Sequence, residues 1–249
     1  MKVLVAIRLK MLEISRYLPY LCQKNMRSFF AKFKFFGIVL LIVSGIIVTL
    51  FYNALQPKKL LPVYQPAMVN FELVDSTLQH VKKYHTIADF TLTNQNGKSI
   101  TQVDYHNKIY IADFFFTTCP TICPIMTKNM AGLQDKIMND SDVLLLSHSV
   151  TPDIDSVPQL KKYALEKGVK DNKWNLVTGD KEQIYELARK SYLAVKTSGD
   201  GGPYDMIHTE NFILVDKERR IRGFYDGTKS EEMDKLLSDL KILKSSYKE

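Results

Sequence analysis

The sequence predicts an α/β sandwich, a central mixed sheet flanked by helices, carried behind one N-terminal transmembrane helix. Three observations lead there. No charged side chain occurs over the 23 residues from Phe35 to Pro57. Beyond His85, apolar runs of strand length alternate with stretches of helical period, the mark of βαβ units. The last two apolar runs, "NFILVD" and "IRGFYDG", are separated only by Lys217–Arg220, so they must pair as a hairpin.

Residues 35–57 are long enough to cross a hydrocarbon core about 30 Å thick as a helix. Tyr52 falls where an interfacial aromatic belt would lie, and the basic flank before the span places that side in the cytoplasm. The apolar run exceeds a usual signal-peptide core and no clear A-x-A-like site follows it, so an uncleaved anchor is expected. Of the ionisable side chains in residues 1–34, eight are basic (Lys2, Arg8, Lys10, Arg16, Lys24, Arg27, Lys32, Lys34) and only Glu13 is acidic, which accounts for the whole net charge of +7. The remainder is neutral overall, so the basicity belongs to the arm, which argues against nucleic acid as a partner. "MRSFFAKFKFFGIVLL", from Met26, reads as a complete flank plus anchor. Residues 1–25 are therefore expected to be an over-called start (Met26 or Met11 being the true one), with a basic organellar leader as the alternative. Cys22 lies in this arm and has no expected role.

Residues 58–84 read as a tether, with one short helix near Ser76–Lys83. The globular domain, 85–249, opens with "ADFTLTNQNGKSIT", alternating runs around Asn96-Gly97 that signal a hairpin. "KIYIADFFF" (Lys108–Phe116) is too apolar to be half-exposed and is expected to be central. A helix over 124–139 follows, with Pro124 suited to its first position. "DVLLLSHSV" is a second buried strand. "SVPQLKKYALEKG" is a helix with Ser156 as N-cap and Gly168 as stop. "WNLVTG" is a short strand and "DKEQIYELARKSY" a helix opened by Asp180. "KTSGDGGPYDMIHTE" is a loop. After the final hairpin, "SEEMDKLLSDLKILKS" closes the chain as a helix, acids early and lysines late. A βαβ unit followed by a hairpin and a helix makes this a thioredoxin-like sandwich with an N-terminal hairpin extension. There is no internal repeat and no low-complexity tract.

The chemistry centres on "DFFFTTCPTICPIM" (Asp113–Met126), which holds two of the three cysteines. Cys123 is expected at or beside the helix N-cap, where backbone N–H groups and the positive helix end favour a thiolate. Cys119 precedes it on the turn. A structural disulfide closing so short a loop would gain little, and a thioredoxin-type redox pair is normally spaced C-x-x-C. The extra residue here leaves room for an ion. Soft thiolates select Cu(I) or zinc, and an imidazole can complete either site. Of the five histidines, His80, His85 and His106 read as surface residues. His148, near the end of its strand, reads as packing before ligand. His208 sits in the loop before strand 211–216.

On these residues the sequence resembles the Sco/SenC family of membrane-anchored copper proteins, over about residues 85–247 plus the anchor. "DFFFTTCPTICPIMT" is similar to the family's strand-turn-helix with its CPxxCP core, "TPDIDSVPQLKKYA" to the segment after the second strand, and "HTENFILVD" to the segment holding a third ligand. The resemblance implies that Cys119, Cys123 and His208 bind one copper ion, Cu(I) or Cu(II), on a thioredoxin fold. It further implies a role in assembling the copper site of cytochrome c oxidase. Two positions depart from the family: Ile207 stands where many members have an acid, and Thr151-Pro152 where many have Asp-Pro.

The expected function is thus a copper metallochaperone and not a turnover enzyme. Its partner would be the copper-bearing subunit of the oxidase or another copper chaperone, with no small-molecule substrate. The alternative is a thiol-disulfide oxidoreductase acting on cysteines of those same partners through Cys119 and Cys123. A peroxidase of the same fold is disfavoured, because neither cysteine sits in a P-x-x-x-T/S-x-x-C arrangement. The expected location is the inner membrane, N-terminus in the cytoplasm and domain in the periplasm. The alternative is the mitochondrial inner membrane, facing the intermembrane space.

Overall fold

The computed structural model describes residues 34–56, 60–70, 74, 77–195, 207 and 209–247. The chain divides into two compact units, Met1–Lys58 and Lys59–Glu249. In the first, Lys34–Leu55 (α1) is one continuous helix, long and apolar enough to cross a membrane and with its window of highest hydropathy fully exposed.

The second unit is built on a seven-stranded sheet. Its strands are β1 (Thr91–Asn94), β2 (Ser99–Thr101), β3 (Ile109–Phe115), β4 (Val143–Ser149), β5 (Trp174–Thr178), β6 (Asn211–Val215) and β7 (Ile221–Asp226), ordered β2-β1-β5-β4-β3-β6-β7. β3, β4 and β5 are parallel, while β1, β6 and β7 join by antiparallel ladders. The helices are α2 (Cys123–Ile137), α3 (Val157–Lys167), α4 (Lys181–Glu186) and α5 (Ser230–Ser245). The expected βαβ unit, closing hairpin and helix are all present, and the N-terminal hairpin extends the sheet beyond β5. This is the thioredoxin-like sandwich.

β3 is buried at all seven positions, as its apolar run requires. Its alternate side chains serve two cores. Ile109, Ile111 and Phe115 meet α2, α3 and α5 through Met126, Met130, Leu133, Leu160, Leu236 and Leu240. Tyr110, Ala112 and Phe114 face Ile184, Leu187, Tyr192 and the N-terminal segment through Ile87 and Phe90. The β1–β2 turn closes at Gly97, whose φ of 73° suits only a residue without a Cβ penalty. Gly168 ends α3 in the same left-handed conformation, φ 72°.

Three local expectations are corrected. Pro124 is the second residue of α2, because Cys123 already has helical geometry behind Ile122. The helix opened by Asp180 widens at Leu187–Ser191 into a π-turn, where the Tyr192 N–H reaches the Leu187 carbonyl at 2.7 Å. Ser191 is thereby held by segment 85–88: its carbonyl bonds His85 Nε2 at 2.8 Å and its hydroxyl accepts the Ala88 N–H at 2.7 Å. The helix expected near Ser76–Lys83 is, among the described residues, one turn at 77–80, closed by Val81 N–H to the Leu78 carbonyl. With only weak apolar periodicity it has no continuous apolar face, and Leu78 is the side chain it packs against the core.

Part of the segment read as a tether is laid on the sheet edge. The Tyr64 N–H donates to the Ile221 carbonyl at 2.8 Å. The Tyr64 ring packs edge-on against Phe224 at 5.4 Å. Arg222, 7% exposed, donates to the carbonyls of Leu61 (2.6 Å) and Pro62 (2.9 Å) and to buried Asp216 (2.9 Å).

Candidate dithiol site

The site grows from the end of β3. The strand stops at Phe115, the chain turns through 116–122, and α2 starts at Cys123. The turn is closed by the Cys119 N–H to the Phe116 carbonyl, 3.3 Å. Cys119 (8% exposed) and Cys123 (3%) are both free thiols. Exposed Pro120, Thr121, Pro124 and Ile125 surround them.

The two sulfurs interact directly and unequally. For Cys119, burial opposes the thiolate, but it is outweighed by N–H bonds from Thr121 and Cys123 and by the Cys123 thiol, and the group falls to about 7. The Thr121 hydroxyl adds a contact at 3.7 Å. For Cys123, burial, the bond to Cys119 and the Cys119 charge push the thiol up to about 12, against one N–H bond from Phe116. This reverses the expectation that Cys123 would hold the thiolate. Its sulfur is sunk into the core beside α2, whereas the N–H groups at the helix start point at Cys119. Near neutral pH the proton that is lost is therefore the one on Cys119, while Cys123 stays protonated.

Beneath the pair, inside β3, lies Asp113. It is 2% exposed, and burial raises its carboxyl to about 7 against a hydrogen bond from Ser147. Ser147 in turn accepts the Trp174 indole N–H at 2.8 Å. Asp113 Oδ1 has no hydrogen-bond partner among the described residues. Near the other end of the turn, the carboxylate of Asp155 accepts from Thr117, Ser149 and Thr151. Neither acid was picked out as a site residue from the sequence. Asp113 had a signal, a lone acid in an otherwise apolar strand. Asp155 had none, since an acid between a strand and a helix normally faces water.

The histidines separate clearly. His148 is fully buried, stacked on Phe114 at 4.8 Å and bonded through Nδ1 to the Asp113 carbonyl at 3.3 Å. Burial lowers it to about 4. It belongs to the core opposite the cysteines. His85 is half-buried and bonded to Ser191, so it is not the surface residue expected; burial lowers its pKa against that bond. His80 and His106 are exposed. His208 lies outside the described residues. Among the described residues no group of three His, Cys, Asp or Glu side chains converges as a metal site.

A mixed sheet with two cysteines between its central strand and the following helix defines a thioredoxin-like protein with a dithiol at the usual position for that fold's chemistry. The chain also matches the SCO1/SenC family model over residues 78–243, and it belongs to that family. It is 35% identical over 159 residues to the SCO1 protein homolog of Bacillus subtilis (strain 168), covering 63% of this chain and 82% of that protein. BsSco, a solved member of the Sco family of cytochrome c oxidase assembly proteins in which a disulfide switch was identified, is 33% identical with a TM-score of 0.55, over 64% of this chain and 93% of that one. The copper-bound structure of Bradyrhizobium japonicum ScoI is 25% identical with a TM-score of 0.51, over 64% and 99%.

Proposed function

We propose that this protein is a membrane-anchored copper metallochaperone of cytochrome c oxidase assembly, holding copper through Cys119, Cys123 and His208. The observation that carries the reading is the pair itself: two free thiols, hydrogen-bonded to each other, one already thiolate-like near pH 7. Two adjacent soft donors fit Cu(I), and an imidazole would extend the set to Cu(II). Binding would displace the proton on Cys123, so uptake releases protons and strengthens with pH. The copper-bound relative and the oxidase-assembly relative support the cargo and the destination. α1 supports an anchor, and the basic flank before it is the ground for placing the domain in the periplasm.

A second reading, thiol-disulfide exchange with the same partners, is favoured by the asymmetry of the pair. Cys119 would attack a partner disulfide as thiolate and form a mixed disulfide. Cys123, giving up its proton, would then displace the partner's second thiol. The pair is oxidised by two electrons and the partner disulfide reduced to two thiols.

The test is titration of the reduced full chain in detergent with Cu(I) and Cu(II), beside His208→Ala. One-to-one binding that the alanine weakens for Cu(II) supports the three-ligand site; unchanged Cu(II) binding sinks it. Disulfide exchange would survive His208→Ala and fail with Cys119→Ser or Cys123→Ser.

A further inference from the structure

We propose that Asp155 is a positioning residue: its buried carboxylate clamps the turn bearing Cys119 to the end of β4. The inference rests on the reading of Cys119 and Cys123 as the working pair. Asp155 lies in the loop between β4 and α3 and is fully buried. One oxygen, Oδ1, accepts the Thr117 hydroxyl at 2.5 Å. The other accepts the Thr117 N–H (3.2 Å), the Ser149 hydroxyl (2.6 Å) and the Thr151 hydroxyl (3.1 Å). Thr117 is gripped by both its backbone and its side chain, and Gln159 of α3 adds a bond to its hydroxyl at 3.0 Å. The loop holding Asp155 is itself fixed, because its N–H and that of Ile154 both return to the Thr151 carbonyl, at 2.8 and 2.9 Å.

The consequence is geometric. Thr117 is two residues before Cys119, in a turn otherwise exposed at Thr118, Pro120 and Thr121. Proline removes the N–H of residue 120, so the turn has few backbone bonds of its own. Two hydrogen bonds from Thr117 to the buried Asp155 carboxylate replace them, and those from Ser149 and Thr151 tie that carboxylate to the end of β4. Asp155 thus sets where Cys119 stands relative to Cys123 without touching either sulfur. Truncation would leave the buried Ser149 hydroxyl without an acceptor and the half-buried Thr117 without both of its bonds to the carboxylate.

The experiment compares Asp155→Asn, Thr117→Val and Thr117→Ser with the wild-type full chain in detergent. Asparagine keeps the shape but turns an NH₂ onto hydroxyl donors. Valine keeps the bulk of Thr117 without its hydroxyl, and serine restores the hydroxyl. Folding of each variant is checked by the fluorescence of Trp174, the sole tryptophan. The first readout needs no metal: amide hydrogen exchange across 116–123, compared with β4. The second is the Cu(II) dissociation constant together with the visible thiolate-to-copper absorption band.

Asp155→Asn and Thr117→Val should speed exchange in the turn, leave β4 protected, and weaken Cu(II) by about ten- to a hundredfold with a shifted band. Thr117→Ser should match wild type. Unchanged exchange in Asp155→Asn and Thr117→Val overturns the clamp. Faster exchange with unchanged affinity and band overturns the positioning role. A wild-type chain that binds no copper sinks the copper reading instead, and the exchange data then decide for or against the clamp.

Discussion

Replacing Asp113 by Asn tests the interior beneath the cysteines most sharply. Burial moves this carboxyl from 3.8 to about 7 in the folded chain. A carboxyl that binds its proton more tightly when folded contributes stability below pH 3.8, and that contribution is lost as pH rises to about 7. At about 1.4 kcal/mol per pKa unit, the loss is about 4 kcal/mol. His148 acts in the opposite sense. Burial lowers it from 6.5 to about 4, so its contribution is present above pH 6.5 and lost on acidification. The two nearly cancel in the wild-type profile, and only the difference between variants isolates Asp113. Asparagine cannot ionise and occupies the same volume. The stability of Asp113→Asn relative to wild type should therefore climb by about 4 kcal/mol between pH 4 and pH 8. Urea unfolding followed by Trp174 fluorescence measures this, since the indole bonds Ser147 next to the acid. A difference that stays flat across that range would refute a protonated buried carboxyl. A difference that falls with pH would reverse the sign of the argument.

Other outcomes follow from the same geometry. In Cys123→Ala, which removes the partner thiol, alkylation of Cys119 by iodoacetamide should slow at pH 7 relative to wild type, whose rate should be half-maximal near pH 7; equal rates would mean the Cys123 thiol contributes nothing to the Cys119 thiolate. Arg222→Met leaves Asp216 without its one buried cation among the described residues and frees the carbonyls of Leu61 and Pro62. It should cost about 3–5 kcal/mol, and limited proteolysis should open residues 60–66 first. A loss below about 1 kcal/mol would show that the pair is not a desolvated one.

Sequence alone determined the order and kind of the strands and of the longer helices in this protein. The uncharged span 35–57, the two hairpins, the buried run at 109–115 and the turn residues Gly97 and Gly168 each act through local backbone chemistry and periodicity, which need no knowledge of neighbours. The Cys119–Cys123 spacing and its place between a strand and a helix were legible for the same reason. Tertiary structure decided which sulfur holds the charge. Four residues apart in sequence, the two cysteines differ because one faces the N–H groups at the helix start and the other faces the core. It also decided that His148 is a packed ring and that segment 61–64 is a sheet-edge strap. Above all, it decided that Asp155, 38 residues from Thr117, is the acceptor for the cysteine turn. Local patterning cannot encode that contact, because it exists only once β3 and β4 lie side by side.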